Sequence, residues 1–150
     1  MKILILTYQG DLGGATRSMS YLARGLAGRG HEVYFGCRRE ARIWDDLCAA
    51  RVHLVPMEFG RFGGPAARQI DSLCRENGIQ IINAQSSQDR YAALRARLVY
   101  RTPARIVFTR RQMPDSSRLS GLLATLGADR VIAVSCAVAE ALAARWVKRS

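Results

Sequence analysis

Lys2-Ile3-Leu4-Ile5-Leu6-Thr7 followed by Tyr8-Gln9-Gly10-Asp11-Leu12-Gly13-Gly14 is the stretch that decides the fold. The apolar run has no alternation, as expected of a central parallel strand covered on both faces. It empties into a glycine-rich turn, and a helix is predicted from about Ala15 to Arg29, ended by Gly30. His31-Glu32-Val33-Tyr34-Phe35-Gly36-Cys37 then begins a second strand. A glycine turn between a first strand and a first helix lets backbone N–H groups and a helix N-terminus come close to an anion. That layout suits a nucleotide or sugar phosphate.

Strand-like runs recur at Ile3–Leu6, Val33–Gly36, Val52–Met57, Ile79–Ile82, Arg105–Thr109 and Val131–Val134. Helical patterns separate most of them. Met19, Leu22, Ala23 and Leu26 form one face of the first helix; Ile70, Leu73 and Cys74 do so between Pro65 and Asn77, with Gly78 as the stop. Ala92, Leu94 and Leu98 suggest a helix over Asp89–Leu98, and Val138, Ala141, Leu142 and Arg145 another over Ala137–Val147, with Ser135 as its cap. The alternation predicts an α/β fold: a Rossmann-like open parallel sheet with helices on both faces. Right-handed crossovers then put every strand-to-helix loop along one edge, where ligands bind. Arg110 to Arg118 is the longest polar loop and falls on that edge, whereas the aromatics of Phe59 to Pro65 are expected to pack down.

With 150 residues, 49% of them apolar, one domain is the natural count. The formal charge is +11, and of 23 basic residues only Lys2 and Lys148 are lysine. Arginine suits bidentate recognition of phosphate and carboxylate, although genome composition produces the same bias. The basic residues are spread out, so they form a diffuse positive face open to an anionic membrane surface or a phosphorylated substrate. Four separated cysteines and two histidines offer no zinc spacing and no disulfide framework. No apolar run reaches the roughly 20 residues that span a bilayer. The expectation is a cytoplasmic protein, able to rest on the inner face of the membrane.

Four further segments carry a resemblance. Gly13-Gly14-Ala15-Thr16-Arg17 precedes Leu22-Ala23-Arg24-Gly25-Leu26-Ala27-Gly28-Arg29-Gly30-His31-Glu32-Val33; Ile79 to Ser86 and Ala128 to Val138 follow at matching intervals. Together they resemble the N-terminal domain of retaining, GT-B fold, family 4-type glycosyltransferases, whose patterns read G-G-x-x-R, L-A-x-x-L-x-x-R-G-H-E-V, I-D-I-V-H-A-H-S and A-D-x-V-I-A-V-S-x-A-V. The resemblance implies an acceptor-side half over residues 1–150, with a donor-binding C-terminal domain missing from this chain. It also implies a nucleotide-sugar substrate, no further cofactor, and a glycan or glycolipid acceptor in bacterial surface polysaccharide or lipopolysaccharide synthesis. Such a half is not expected to catalyse transfer alone.

By the same resemblance Gly13, Gly14 and Arg17 form the donor-phosphate loop. Asp11, Asn83, Gln85, Ser86, Arg110, Arg111 and Arg118 are expected at the acceptor. Two departures stand out. The family's H-A-H is Asn83-Ala84-Gln85 here, and the histidine of its T-x-H is Arg111. Amides hydrogen-bond hydroxyls without exchanging protons near neutral pH, and arginine stays protonated, so neither is a base. Arginines at 110, 111 and 118 would instead suit an acidic acceptor; solvation on a loop is the other reading. No metal site or catalytic residue is assigned. His31, His53 and Asp129 read as structural, Asp129 as a local cap or partner.

Two other classes of protein compete with this reading. An NADP-binding module fits Cys37-Arg38-Arg39 at the end of the second strand, but Gly10 to Gly14 is not G-x-G-x-x-G. A basic membrane-surface domain fits the charge. Nucleic acid is disfavoured: no recognition motif occurs and aromatic residues are 7% of the chain.

Overall fold

The computed structural model describes residues 1–11, 13–60, 63–111 and 127–144. Among them the chain runs β1 (Lys2–Leu6), α1 (Gly14–Gly28), β2 (Glu32–Cys37), α2 (Arg42–Cys48), β3 (His53–Pro56), α3 (Gly64–Asn77), β4 (Ile81–Ala84), α4 (Ser87–Tyr100), β5 (Arg105–Arg110), β6 (Arg130–Ala133) and α5 (Cys136–Ala143). All strand pairs are parallel and the order is β3-β2-β1-β4-β5-β6. The fold is a Rossmann-like α/β sheet. Its order reverses between β1 and β4, the place where open sheets of this kind bind ligands.

Strand alternation divides the core into two layers. Ile3, Ile5, Val33 and Phe35 face Met19 and Ala23 of α1 and Ile43 and Leu47 of α2. Leu4, Leu6, Ile82, Ile106 and Phe108 face the other way, onto α3 and α4. That second layer is alanine-rich: Ala66 and Ala67 of α3 and Ala92, Ala93 and Ala96 of α4 are fully buried. Small side chains bring the two helices close. At Gly63 (φ +65°), the N-cap of α3, a Cβ would lie 2.7 Å from the Ala92 Cα, so both conformation and space demand glycine.

The structure corrects several helix details. The seven-residue α2 has no counterpart among the helices that the sequence pattern predicts. The buried stripe of α1 is Thr16, Met19, Ser20 and Ala23, with Leu22 on its exposed shoulder. α4 starts at Ser87 and buries alanines, while Leu98 is 72% exposed because contact with α3 selects the small-residue face. Ser135 caps α5, accepting from Val138 N, and Val138 and Leu142 are buried; Arg145 lies outside the described residues. Phe59 packs edge-on to Tyr8, at 6.2 Å between centroids, while Phe62 lies outside the described residues.

Candidate functional site

A cleft of about 490 Å³ opens at the C-terminal edge of the sheet beside the order reversal. Thr7, Gln9, Gly14, Ala15 and Met19 come from β1, its loop and α1. Gln85, Ser86, Ser87 and Arg90 come from the end of β4 and the start of α4, and Arg110, Arg111 and Val134 from the ends of β5 and β6. Among the described residues, three guanidinium groups and no carboxylate line it. The cleft is built for negative charge.

Two helices begin at this cleft and their first turns are satisfied differently. At α4, Ser86 is the N-cap and Asp89 completes a capping box. Asp89 is fully buried; its carboxylate accepts from Ser86 N at 2.8 Å and from Tyr8 N at 2.6 Å, tying the loop after β1 to α4. Burial raises its pKa, opposed by those N–H donors. At α1 the N-cap is Gly13, which offers no side chain, and the first turn holds no acidic residue. The first intrahelical bond runs from Arg17 N to Gly13 O, so the amides of Gly14, Ala15 and Thr16 precede it and have no acceptor within the helix.

The glycines of that start are not required by the fold. Neither Gly13 nor Gly14 has positive φ, and a Cβ on either meets nothing within 4 Å. Gly10 differs, since a Cβ there would collide with Ala41 Cβ at 1.9 Å. Open space over Gly14, at the cleft wall, leaves the helix start accessible to an anion.

The expected site residues divide by position. Gly14, Gln85, Ser86, Arg110 and Arg111 line the cleft. Asn83 sits behind them, buried in the sheet; Asp11, Gly13 and Arg17 are exposed and outside its lining; Arg118 lies outside the described residues. Ser86 accepts from Asp89 N at 3.4 Å, which leaves its own O–H proton for a further acceptor. Arg111 donates from Nε to Gln85 Oε1 and from Nη1 to Ser18 Oγ, both at 2.9 Å, and burial lowers its pKa. Thr7, Gln9, Ser18, Asp89, Arg90 and Thr109 went unrecognised in the sequence. Their signal was position at strand ends or in the first turns of α1 and α4.

Elsewhere polar groups serve packing. His31 Nδ1 lies 3.3 Å from the Met1 amino group, and His53 stacks on Tyr34. Asp129 is no local cap: it accepts from Ile106 N of β5 at 2.7 Å and pairs with Arg97 of α4. Arg38 and Arg39, the basis of the NADP reading, stack on Tyr8 and Trp44. Among the described residues no group of three or more His, Cys, Asp or Glu could hold a metal ion, and no helix is long and apolar enough to cross a membrane.

The profile of Glycosyltransferase Family 4 matches residues 12–150. The chain belongs to that family. No curated protein sequence matches this family member. Among solved structures it is similar to HepE (Alr3699) of Anabaena in complex with UDP-glucose, at 20% identity and a TM-score of 0.79 over 99% of this chain and 41% of that one. A glycosyltransferase from Rickettsia africae ESF-5 aligns at 17% identity and a TM-score of 0.70 over 94% of this chain and 38% of the other. The apo form of WaaB, a lipopolysaccharide outer core galactosyltransferase, aligns at 16% identity and a TM-score of 0.74 over 99% and 43%. This Family 4 chain thus spans about two fifths of the length of the structures it matches. At these identities the likeness establishes the fold.

Proposed function

We propose that this chain is the acceptor-side half of an enzyme that transfers a sugar from a nucleotide-sugar donor to a glycan or glycolipid. The observation that carries the reading is the cleft: a glycine-started, uncapped helix faces three arginines across a space that, among the described residues, holds no carboxylate. In this reading the donor diphosphate meets the amides of Gly14 and Ala15, which stabilise the leaving phosphate as its charge develops. Gln85 and Ser86 hydrogen-bond the acceptor, and Arg110 and Arg111, at and just beyond the end of β5, meet its far side. Among the described lining residues there is no base, so in this reading the acceptor hydroxyl passes its proton to the departing phosphate oxygen. A second domain supplies most of the donor contacts and closes the cleft.

The diffuse charge of +11 supports work at an anionic membrane surface, in cell-surface polysaccharide or lipopolysaccharide synthesis from the cytoplasmic side. Calorimetric titration of the chain with UDP-glucose, UDP, pyrophosphate and NADPH tests the site. The reading expects UDP and pyrophosphate to compete for one site, with NADPH no tighter than its phosphates alone provide. Tight NADPH binding that pyrophosphate does not displace would replace this reading with a dinucleotide module.

A further inference from the structure

Four polar side chains of β4, β5 and the residues just beyond them form one directed series of hydrogen bonds. Arg111 Nε donates to Gln85 Oε1 at 2.9 Å, Gln85 Nε2 to Asn83 Oδ1 at 2.6 Å, and Asn83 Nδ2 to Thr109 Oγ1 at 3.0 Å. Gln85, Asn83 and Thr109 are all buried. Each amide receives on oxygen and gives on nitrogen, so flipping either one would set two donors against each other. The series therefore has one sense, and it ends by presenting an oxygen to Arg111.

Arg111 is held from a second side by Ser18 of α1. Nε and Nη1 are thereby anchored, while Nη2 has no hydrogen-bond acceptor among the described residues. Burial disfavours the charge, and among the described residues no carboxylate lines the cleft to offset it. A partly desolvated, oriented and uncompensated guanidinium is costly unless an anion joins it, and its planar fork matches carboxylate and phosphate oxygens. A neutral hydroxyl cannot supply that compensation.

Resting on the reading of the cleft as a sugar-transfer site, we propose that Arg111 selects an acceptor bearing an oxyanion, a carboxylate or a phosphate. Gln85 contacts both acceptor and arginine. Asn83 and Thr109 are positioning residues that aim the guanidinium. The amides at 83 and 85 and the arginine at 111 then form a single device, since an oxygen at the end of residue 85 is what fixes the Nε of residue 111.

The test is a set of amide-resolved NMR titrations of the chain with methyl glucoside, methyl glucuronide, glucose 6-phosphate and pyrophosphate. At least one acidic sugar is expected to bind about tenfold tighter than methyl glucoside, and which one does so tells carboxylate from phosphate. Arg111→Met should abolish that preference while pyrophosphate, read at the Gly14 and Ala15 amides, changes less than threefold. Arg111→Lys, which keeps charge but not the anchored fork, should recover only part of the preference. Thr109→Val, whose side chain is buried behind the cleft lining, should lower it about threefold, with a melting curve confirming the fold. Equal binding of neutral and acidic sugars, or a preference that survives Arg111→Met, overturns the inference. So does an equal loss of pyrophosphate affinity, which would assign Arg111 to the donor. If acid preference is absent but pyrophosphate still shifts Gly14 and Ala15, this inference fails alone. If pyrophosphate binds nowhere in the cleft, the parent reading fails with it.

Discussion

Replacing Gly14 with alanine separates the structural reading of the glycine start from the functional one. Gly14 is the first residue of α1, and a Cβ built on it meets nothing within 4 Å. Gly→Ala in a helix favours the fold by about 0.5–1 kcal/mol through lost unfolded-state freedom and better propensity. For a domain of this size that is about 1–4 °C in Tm. The same methyl group occupies the space through which an oxyanion reaches the first-turn amides. Losing one hydrogen bond to a charged group costs about 1.5–3 kcal/mol, or about 10- to 150-fold in affinity. Gly14→Ala should therefore melt slightly higher and bind UDP and pyrophosphate at least tenfold more weakly, read by differential scanning calorimetry and titration calorimetry on the same sample. Affinity unchanged within twofold would refute the anion-access argument. A Tm lower by several degrees would show that the glycine serves the fold instead.

Three other outcomes follow from the packing. Gly63→Ala forces a Cβ against the Ala92 backbone in a positive-φ conformation, and should cost about 1–3 kcal/mol in urea unfolding. Burial pushes the Cys37 and Cys74 thiols up to about 12, so at pH 8 iodoacetamide should modify exposed Cys48 and Cys136 and spare the other two until the chain is unfolded. Burial raises the Asp129 pKa, but the Ile106 N–H and Arg97 outweigh it and hold the carboxyl below its ordinary 3.8. Its contribution is thus present above the unfolded value and lost as pH falls through the folded one. Asp129→Asn should be less stable at pH 7 and show a shallower loss below pH 3.8 than the parent chain.

The parallel sheet, the two helix layers and the ligand edge were legible because unbroken apolar runs and glycine stops mark a parallel α/β chain; the order of the strands was not. α2 was not, since seven residues with only Ile43 and Leu47 buried carry too little periodicity to stand out. At the site, Gly14 and Arg111 could be read from their places after strands. The separate fates of Asn83 and Gln85 could not: both lie on one strand face, and only depth along β4 puts Asn83 inside the sheet and Gln85 at the cleft. Helical phase similarly turns Ala15, Ser18 and Met19 toward the cleft side and leaves Arg17 exposed. The role of Asp89 depends on a contact with Tyr8, 81 residues away, which no local pattern reports.

A crystal structure of the chain soaked with UDP tests the central claim most directly. The account predicts the diphosphate in the cleft between β1 and β4, with an oxygen within hydrogen-bond distance of the Gly14 or Ala15 amide and no protein carboxylate beside it. A diphosphate seated instead at Arg38 and Arg39, beyond the end of β2, would contradict it.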